Sequence, residues 1–232
     1  AVPANAGFTP LSGTFTPPSS TYRFGGGGGQ LVVASALGDG AKPRQLEIRG
    51  AERVDSSGAS IVALTASNTY SGASVIRDGV LRLAGANGSA LQTSSFTVRS
   101  GGFLELDAGL QVYGWAEEGG SLIGNNSNRI GDATAVNLGG GTLFFFGSRS
   151  AGTAETMGDV WLNEGMSTMD ARWNAGTVDY GYGGVFVERG SLSGSNACQL
   201  RAARLLPGSA GGQLLVRGTD LGKAGAASAS RI

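Results

Sequence analysis

The sequence contains no histidine and a single cysteine, Cys198, among 232 residues. Histidine is the commonest neutral metal ligand and the usual acid–base group near neutral pH, so its absence argues against zinc sites and Ser-His-Asp catalysis. One cysteine cannot close an internal disulfide bond. These absences predict a chain that is not an enzyme and that holds no cofactor and no metal ion.

The sequence also lacks an excess of charge of either sign and any long apolar run. Lys plus Arg and Asp plus Glu each number 17, so no net field draws the chain to nucleic acid or to an anionic membrane. No apolar stretch approaches the roughly 18 residues of a membrane-spanning helix. We therefore expect no nucleic-acid partner and no membrane insertion by this segment.

Glycine, in contrast, is abundant, with 42 residues, five of them consecutive at 25–29. Such a run can cradle a phosphate, link two units flexibly or turn a sharp corner. A phosphate-binding loop leads into a helix and usually ends in Lys-Ser or Lys-Thr, whereas this run leads into the apolar QLVV. The run therefore favours a corner before a strand, where glycine adopts positive φ without penalty.

A short phrase recurs along the chain, in which a glycine corner precedes apolar residues at alternate positions. Its copies are GGQLVV (28–33), DGVLRL (78–83), GGFLEL (101–106), GGTLFF (140–145) and GGQLLV (211–216). Alternation with period 2 indicates strands rather than helices. Weaker copies around Leu46, Ile61, Leu122 and Trp161 bring the spacing to roughly 15 to 28 residues, which is typical of a solenoid.

These features predict an all-β fold, a parallel β-helix (β-solenoid) with roughly nine or ten rungs. A sandwich or an up-and-down barrel would also suit evenly spaced strands, but two-residue hairpin turns are scarce, Asn87-Gly88 being the clearest. A short helix over 197–206 is an open alternative for that segment.

Within a β-helix, the first and third apolar positions of each phrase should face inward and stack on their counterparts. The predicted core residues are Leu31, Val33, Leu81, Leu83, Leu104, Leu106, Leu143, Phe145, Leu214 and Val216. Arg82 and Glu105 then occupy equivalent outward positions on neighbouring rungs, where opposite charges attract.

The first 23 residues differ from the remainder. The segment to Phe24 holds four of the six prolines and has no charge before Arg23, which argues against a regular central strand. We predict an extended arm over 1–23 and a β-helix over 24–232, the latter either whole or a segment of a longer solenoid. Phe8, Phe15 and Phe24 would anchor the arm, which could cap its own first rung, lie along the side or reach into a neighbouring subunit.

Two outward-facing groups are candidate sites. Glu105 and Asp107 would share one face, as an acid–base pair of a glycan-cleaving β-helix does, with Glu117, Glu118 and Asp132 nearby in sequence. Solvated surface charges explain these carboxylates more simply, and we assign no catalytic residue. The candidate interaction surface comprises Phe144, Phe146, Trp173, Tyr180 and Tyr182. These aromatic side chains could contact a partner, lie under a neighbouring loop or stack on sugars.

The stretch NTYSGASVIRDGVLRLAGANGSAL (68–91) closely resembles the autotransporter-associated β-strand repeat of large bacterial exported proteins. STYRFGGGGGQLVV and NRIGDATAVNLGGGTLFFFG are similar to neighbouring segments of such proteins. The resemblance implies a right-handed parallel β-helix, an extracellular or cell-surface location on bacteria and a passenger-type surface role. It implies no catalytic site.

Three hypotheses for function follow. The first is an extracellular structural β-solenoid that serves as scaffold, adhesin stalk or surface layer. The second is a self-assembling extracellular fibre subunit, because the ends of a solenoid expose strand edges. The third is a polysaccharide lyase or hydrolase on the same coil. The expected partners are further copies of the chain or other surface proteins, with glycans as a further option.

Overall fold

The computed structural model describes residues 10–27, 29–50, 60–108, 126–148, 152–173, 198–218 and 230–231. All regular structure in these ranges is β-strand, and every pairing between named strands is parallel. The strands form two long sheets and one short sheet.

The chain passes repeatedly from the first sheet to the second. The first sheet contains, in spatial order, β1 (Thr21–Phe24), β3 (Gln45–Ile48), β5 (Ser74–Ile76), β7 (Ser95–Arg99), β9 (Ala135–Gly139), β12 (Val160–Glu164) and β15 (Leu205–Pro207). The second contains β2 (Gln30–Val33), β4 (Ile61–Leu64), β6 (Gly79–Leu83), β8 (Gly102–Asp107), β10 (Thr142–Gly147), β13 (Met166–Trp173) and β16 (Gln213–Gly218). Because strands that neighbour each other in a sheet are one full turn of chain apart, the fold is a parallel β-helix, as predicted.

A third side closes each coil. In the later coils it is a sheet of β11 (Thr153–Met157), β14 (Cys198–Ala202) and β17 (Ser230–Arg231). In the earlier coils isolated parallel bridges take its place, Ser67 with Ser89 and Ala90 with Ile130. The open alternative of a helix over 197–206 is wrong, since β14 and β15 occupy that segment.

The described residues contain seven coils, fewer than the nine or ten expected, because each of the two long sheets has seven strands. The phrases around Leu46 and Ile61 do not belong to separate coils. Those phrases are β3 and β4, which are the first-sheet and second-sheet strands of one coil. A strand phrase therefore marks one side of a coil rather than a whole coil.

The core consists of inward columns that run along the axis. In the second sheet one column places Leu81, Leu104 and Leu143 in register, and the next places Leu83, Leu106 and Phe145 in register. All six side chains are fully buried, which confirms the predicted stacking. Each buried leucine stabilises the fold by about 1.5–3 kcal/mol through removal of its apolar surface from water. Val216 continues the first column after Met169, but it is 39% exposed because it lies on the last strand of the sheet.

Glycines turn the corner between the first and second sheets. Residues with positive φ lie just before or at the start of second-sheet strands at Gly27, Gly79, Gly101, Gly140, Gly165 and Gly211. Within the glycine run, a Cβ on Gly26 would lie 2.4 Å from the carbonyl oxygen of Gly29. Gly26 thus has no space for a larger residue and Gly27 has a positive φ of 58°, so the described part of the run forms a tight corner, as the sequence predicted.

Candidate functional site

Outward-facing residues of the second sheet form what we call the second-sheet face. Its central column contains Ala63, Arg82, Glu105, Phe144 and Asp170 in register. Although the alternation of the strands turns these side chains away from the core, each is at most 7% exposed. The outward positions that the sequence predicted to be solvated or available for contact are therefore buried from β4 to β13, whereas Arg217, which follows Asp170 in this column on β16, is 56% exposed.

Arg82 and Glu105 form an ion pair within this face, at the adjacent positions that the phrase alignment predicted. The Nε and Nη2 groups of Arg82 both donate to Oε2 of Glu105, the former at 2.7 Å. Each side chain is only 1% exposed. Because removal of one partner leaves a buried charge without its counter-ion, such a pair is expensive to break even when its net contribution to stability is small.

The other carboxylates considered for acid–base chemistry do not gather into an open site. Asp107 is 5% exposed and Glu105 is held by Arg82, so neither is in contact with bulk solvent, contrary to their interpretation as solvated charges. Asp132 is exposed, and Glu117 and Glu118 lie outside the described residues. Across the described ranges, no three His, Cys, Asp or Glu residues are placed to hold a metal ion.

The aromatic residues of the candidate interaction surface are partly described. Phe144 and Phe146 both point away from the core, and their ring centroids lie 4.0 Å apart. They are only 7% and 6% exposed, which agrees with the alternative that other parts of the chain cover them and not with an exposed patch. Trp173 ends β13, but its side chain, Tyr180 and Tyr182 lie outside what the structure describes.

A second buried charge lies on the third side of the coil, where sequence analysis did not predict a site. The Glu155 carboxylate accepts backbone N–H groups from Arg129, at 3.0 and 3.1 Å, and from Ile130, at 3.1 Å. The Arg129 guanidinium donates to the carbonyl oxygens of Gly88, at 2.5 Å, and Asp107. Burial raises the pKa of Glu155 to about 7 and lowers the pKa of Arg129 to about 10.

Outward-facing residues of the first sheet form an open face, which we call the first-sheet face. Its most charged feature is Glu47, whose carboxylate accepts hydrogen bonds from Arg23 at 3.2 Å, from Arg49 at 3.0 Å and from Arg77. The side chains of these arginines are 61%, 64% and 36% exposed. Hydrogen bonding to Arg77 and the charge of Arg49 lower the pKa of Glu47 to about 2. Sequence analysis did not predict this cluster, because the arginines lie up to 30 residues from Glu47 along the chain.

The arm described from residue 10 onward lies over the first coil of its own chain. Leu11 pairs with Val33 in a parallel bridge, accepting from Ala34 N at 2.9 Å and donating to Val32 O at 2.8 Å. The Phe15 ring lies 5.9 Å from Tyr22 and 5.4 Å from Phe24. Phe8 lies outside the described residues, and β1 includes the last three residues of the predicted arm.

The segment that carries the family resemblance has internal structural partners. Asn68 accepts from Leu37 N at 3.0 Å through its side-chain oxygen and donates to Ser89 O at 2.8 Å, so it connects three successive coils. The Tyr70 hydroxyl is fully buried and lies 2.7 Å from the hydroxyl of Ser74. The side chain of Asn68 therefore adds hydrogen bonds to the backbone bonds that already join these coils on the third side, such as Asn68 N to Ser89 O.

Comparison with known proteins identifies no relatives, since no family model, curated protein or solved structure matches the chain. The resemblance to autotransporter-associated repeats therefore stays a prediction. Within the described ranges, no helix has the length and apolar character needed to cross a bilayer.

Proposed function

We propose that this chain is a structural β-solenoid module of a bacterial surface or secreted protein, where it acts as scaffold or adhesin stalk. The observation that carries the proposal is the unbroken inward column from Val62 through Leu81, Leu104 and Leu143 to Met169. Its members are at most 2% exposed, so successive coils share one core. The resemblance of residues 68–91 to exported repeats supports the location.

The buried state of the best carboxylate pair argues against the lyase or hydrolase alternative. A general acid or base must come within hydrogen-bonding distance of the substrate proton that it transfers. Glu105 instead contacts Arg82 under a covered face, and Asp107 is also buried. The chain is therefore proposed to have no catalytic activity on glycans.

A turnover assay tests this proposal. The purified chain is incubated with pectin, alginate and host glycans, and new reducing ends and unsaturated products are measured. We expect no turnover by the native chain. Turnover that disappears in an Asp107→Asn variant, while the melting temperature stays unchanged, would replace the structural role with an enzymatic one.

Self-assembly is a second candidate, which one observation favours. Leu205 and Val216 continue inward columns of the two long sheets, yet they are 52% and 39% exposed at the last described coil. An exposed end of the core and its strand edges can be covered by another copy of the chain. At the opposite end of the solenoid, Leu11 and Phe15 pack against the first coil.

Sedimentation and electron microscopy test self-assembly. We expect the native chain to form concentration-dependent oligomers or fibres, and the Leu205→Lys/Val216→Lys variant to remain monomeric. Leu91→Lys is the matched control, because Leu91 is 42% exposed away from this end. A monomer at every concentration, or equal loss of assembly in the control, would eliminate this candidate.

A further inference from the structure

Three arginines form a row on the first-sheet face, which we call the arginine ladder: Arg49, Arg77 and Arg99. Arg49 and Arg77 directly follow β3 and β5, and Arg99 ends β7. The register that pairs Ile48 with Ile76 and Ile76 with Val98 brings the three arginines to the same position on consecutive coils. Their backbones are therefore about 4.8 Å apart along the axis.

The ladder is exposed and carries more positive charge than its neighbours neutralise. Glu47 is the acidic partner shared by Arg49, Arg77 and the adjacent Arg23. The nearby Asp78 carboxylate accepts a hydrogen bond from the backbone of Gly50. Among the described residues, Arg99 is exposed and has no ion-pair partner. Glu164 is exposed at the same position two coils beyond Arg99, since both residues pair with Gly139. On the described part of this face, four arginines thus face three carboxylates.

A ligand can compete for the charges of the ladder. Like charges at directly opposed positions on neighbouring strands repel each other. Exposed ion pairs such as those to Glu47 are worth little, typically at most about 1 kcal/mol, so they can be exchanged for contacts to a ligand. Guanidinium groups bind carboxylates and sulfates through paired hydrogen bonds. A row of arginines at one spacing therefore suits a linear ligand with repeated anionic groups.

The same face continues with groups that suit sugars. In the outward column that begins at Arg23 and Glu47, later coils present Thr97, Asn137 and Trp161 in register. Trp161 is 36% exposed, and its ring can pack on the apolar face of a sugar while its N–H seeks a polar partner. The face from Arg23 to Trp161 spans six coils, about 24 Å along the axis.

We propose that the first-sheet face binds a linear acidic polysaccharide, laid along the solenoid axis, through the arginine ladder and Trp161. Carboxylate or sulfate groups of the polymer contact Arg49, Arg77 and Arg99, and a sugar ring packs on Trp161. Nucleic acid is also a linear polyanion, and the oligothymidylate comparison below distinguishes it from an acidic polysaccharide. This inference names a ligand class for the proposed surface role and is measured independently of it.

Affinity for defined polymers tests the proposal. Binding of the purified chain to polygalacturonate, heparin and neutral dextran is measured by calorimetry at low ionic strength, with polyphosphate, single-stranded oligothymidylate and anionic vesicles as comparisons. The ladder variant is Arg49→Gln/Arg99→Gln. The matched control is Lys42→Gln/Arg201→Gln, which removes the same charge from exposed positions off this face.

We expect polygalacturonate or heparin to bind and dextran not to bind. The ladder variant should lose about ten-fold or more in affinity, because each lost pair of charge-assisted hydrogen bonds is strong, whereas the control should change by less than about two-fold. Trp161→Ala should weaken polysaccharide binding without changing the affinity for polyphosphate. Comparing the affinities for polygalacturonate and heparin shows whether the face prefers carboxylate or sulfate groups.

Four results would overturn the proposal: no binding of either acidic polysaccharide, equal losses in the ladder variant and its control, tighter binding of oligothymidylate or vesicles, or a Trp161→Ala variant that binds polysaccharide like the native chain. Melting temperatures of all variants establish that they fold. A negative result here leaves the structural role standing, since the turnover assay tests that role separately.

Discussion

The two long sheets have the same number of strands and the same alternation, yet their outer faces differ in exposure. On the second-sheet face, Arg82 and Glu105 are 1% exposed and Phe144 is 7% exposed. On the first-sheet face, Arg23 and Arg49 are more than half exposed. The alternation of a strand therefore determines whether a side chain points toward the core, but it does not determine whether an outward-pointing side chain meets solvent.

Two glutamates illustrate the consequence for electrostatics. Glu105 meets one described arginine inside a covered face, where each charge has lost its contact with water. Glu47 meets three arginines whose side chains are 36% to 64% exposed. Removal of one partner of the covered pair should lower the free energy of unfolding strongly. Removal of one member of the open cluster should lower it only a little, by an amount that depends on salt.

The largest expected effect is on the covered face. Glu105→Ala leaves Arg82 buried without this carboxylate, so we expect the free energy of unfolding to fall by about 3–5 kcal/mol. Urea denaturation of the purified variant measures this change. The double variant Arg82→Leu/Glu105→Leu, which removes both charges, should recover much of the loss. A loss below about 1 kcal/mol in Glu105→Ala would indicate that the face is open to solvent.

A core substitution provides the reference for these values. Leu104→Ala should reduce the free energy of unfolding by about 2–5 kcal/mol, because the fully buried side chain leaves a cavity between neighbouring coils. Leu91→Ala is the matched control, since Leu91 is 42% exposed, and it should change stability by less than about 0.5 kcal/mol. Similar effects of the two substitutions would contradict the inward register of β8.

The raised pKa of Glu155 predicts that stability depends on pH with the opposite sign to that of an ordinary paired carboxylate. Its pKa is raised from 4.5 to about 7 by burial, so the folded state binds the proton more tightly than the unfolded state. The stabilising contribution is present below pH 4.5 and is lost as the pH rises through about 7, by on the order of 3 kcal/mol. Glu155→Gln should remove this loss. If the unfolding free energies of the variant and the native chain changed with pH in the same way between pH 4.5 and 8, this prediction would be wrong.

Glu47 predicts a smaller effect at acid pH. Hydrogen bonding to Arg77 lowers the pKa of Glu47 from 4.5 to about 2, so its stabilising contribution is present above pH 4.5 and is lost as the pH falls through about 2. Solvent screens the exposed arginines, so we expect about 1 kcal/mol. The difference in unfolding free energy between native and Glu47→Gln chains should shrink over this range and in high salt. A difference that is constant with pH would contradict the stabilisation of the ionised Glu47 by its arginines.

The smallest expected effect is on the arginine ladder itself. Arg99→Gln removes an exposed side chain, so the free energy of unfolding should change by less than about 0.5 kcal/mol. Thermal denaturation measures the change. A loss above about 2 kcal/mol would mean that Arg99 supports the fold, and the ladder would then be a structural feature rather than a binding surface.

The sequence predicted the parts of this fold that depend on neighbouring residues. Alternation placed Leu104 and Leu106 inside, and aligning the glycine corners placed Arg82 next to Glu105. The burial of that pair was missed because coverage of an outer face depends on chain far away in sequence. The partners of Glu155 were missed for the same reason, since Arg129 lies 26 residues before it on the previous coil.

The arginine ladder shows a second limit of sequence analysis. Arg49, Arg77 and Arg99 are separated by unequal intervals, so no fixed period reveals them. They become a row only when the register of β3, β5 and β7 is known. First-sheet strands lack the glycine corner that marks second-sheet strands, so their register could not be aligned from the phrases alone.

The contrast between the covered and the open face can be measured most directly by thiol labelling. Ala63→Cys places a thiol on the second-sheet face at a fully buried position, and Gln45→Cys places one on the first-sheet face at an exposed position. The native Cys198 gives little background, because burial raises the pKa of its thiol to about 12. We predict rapid maleimide labelling of the Gln45→Cys variant and labelling of the Ala63→Cys variant only after denaturation. Equal labelling rates of the two folded variants would contradict the account.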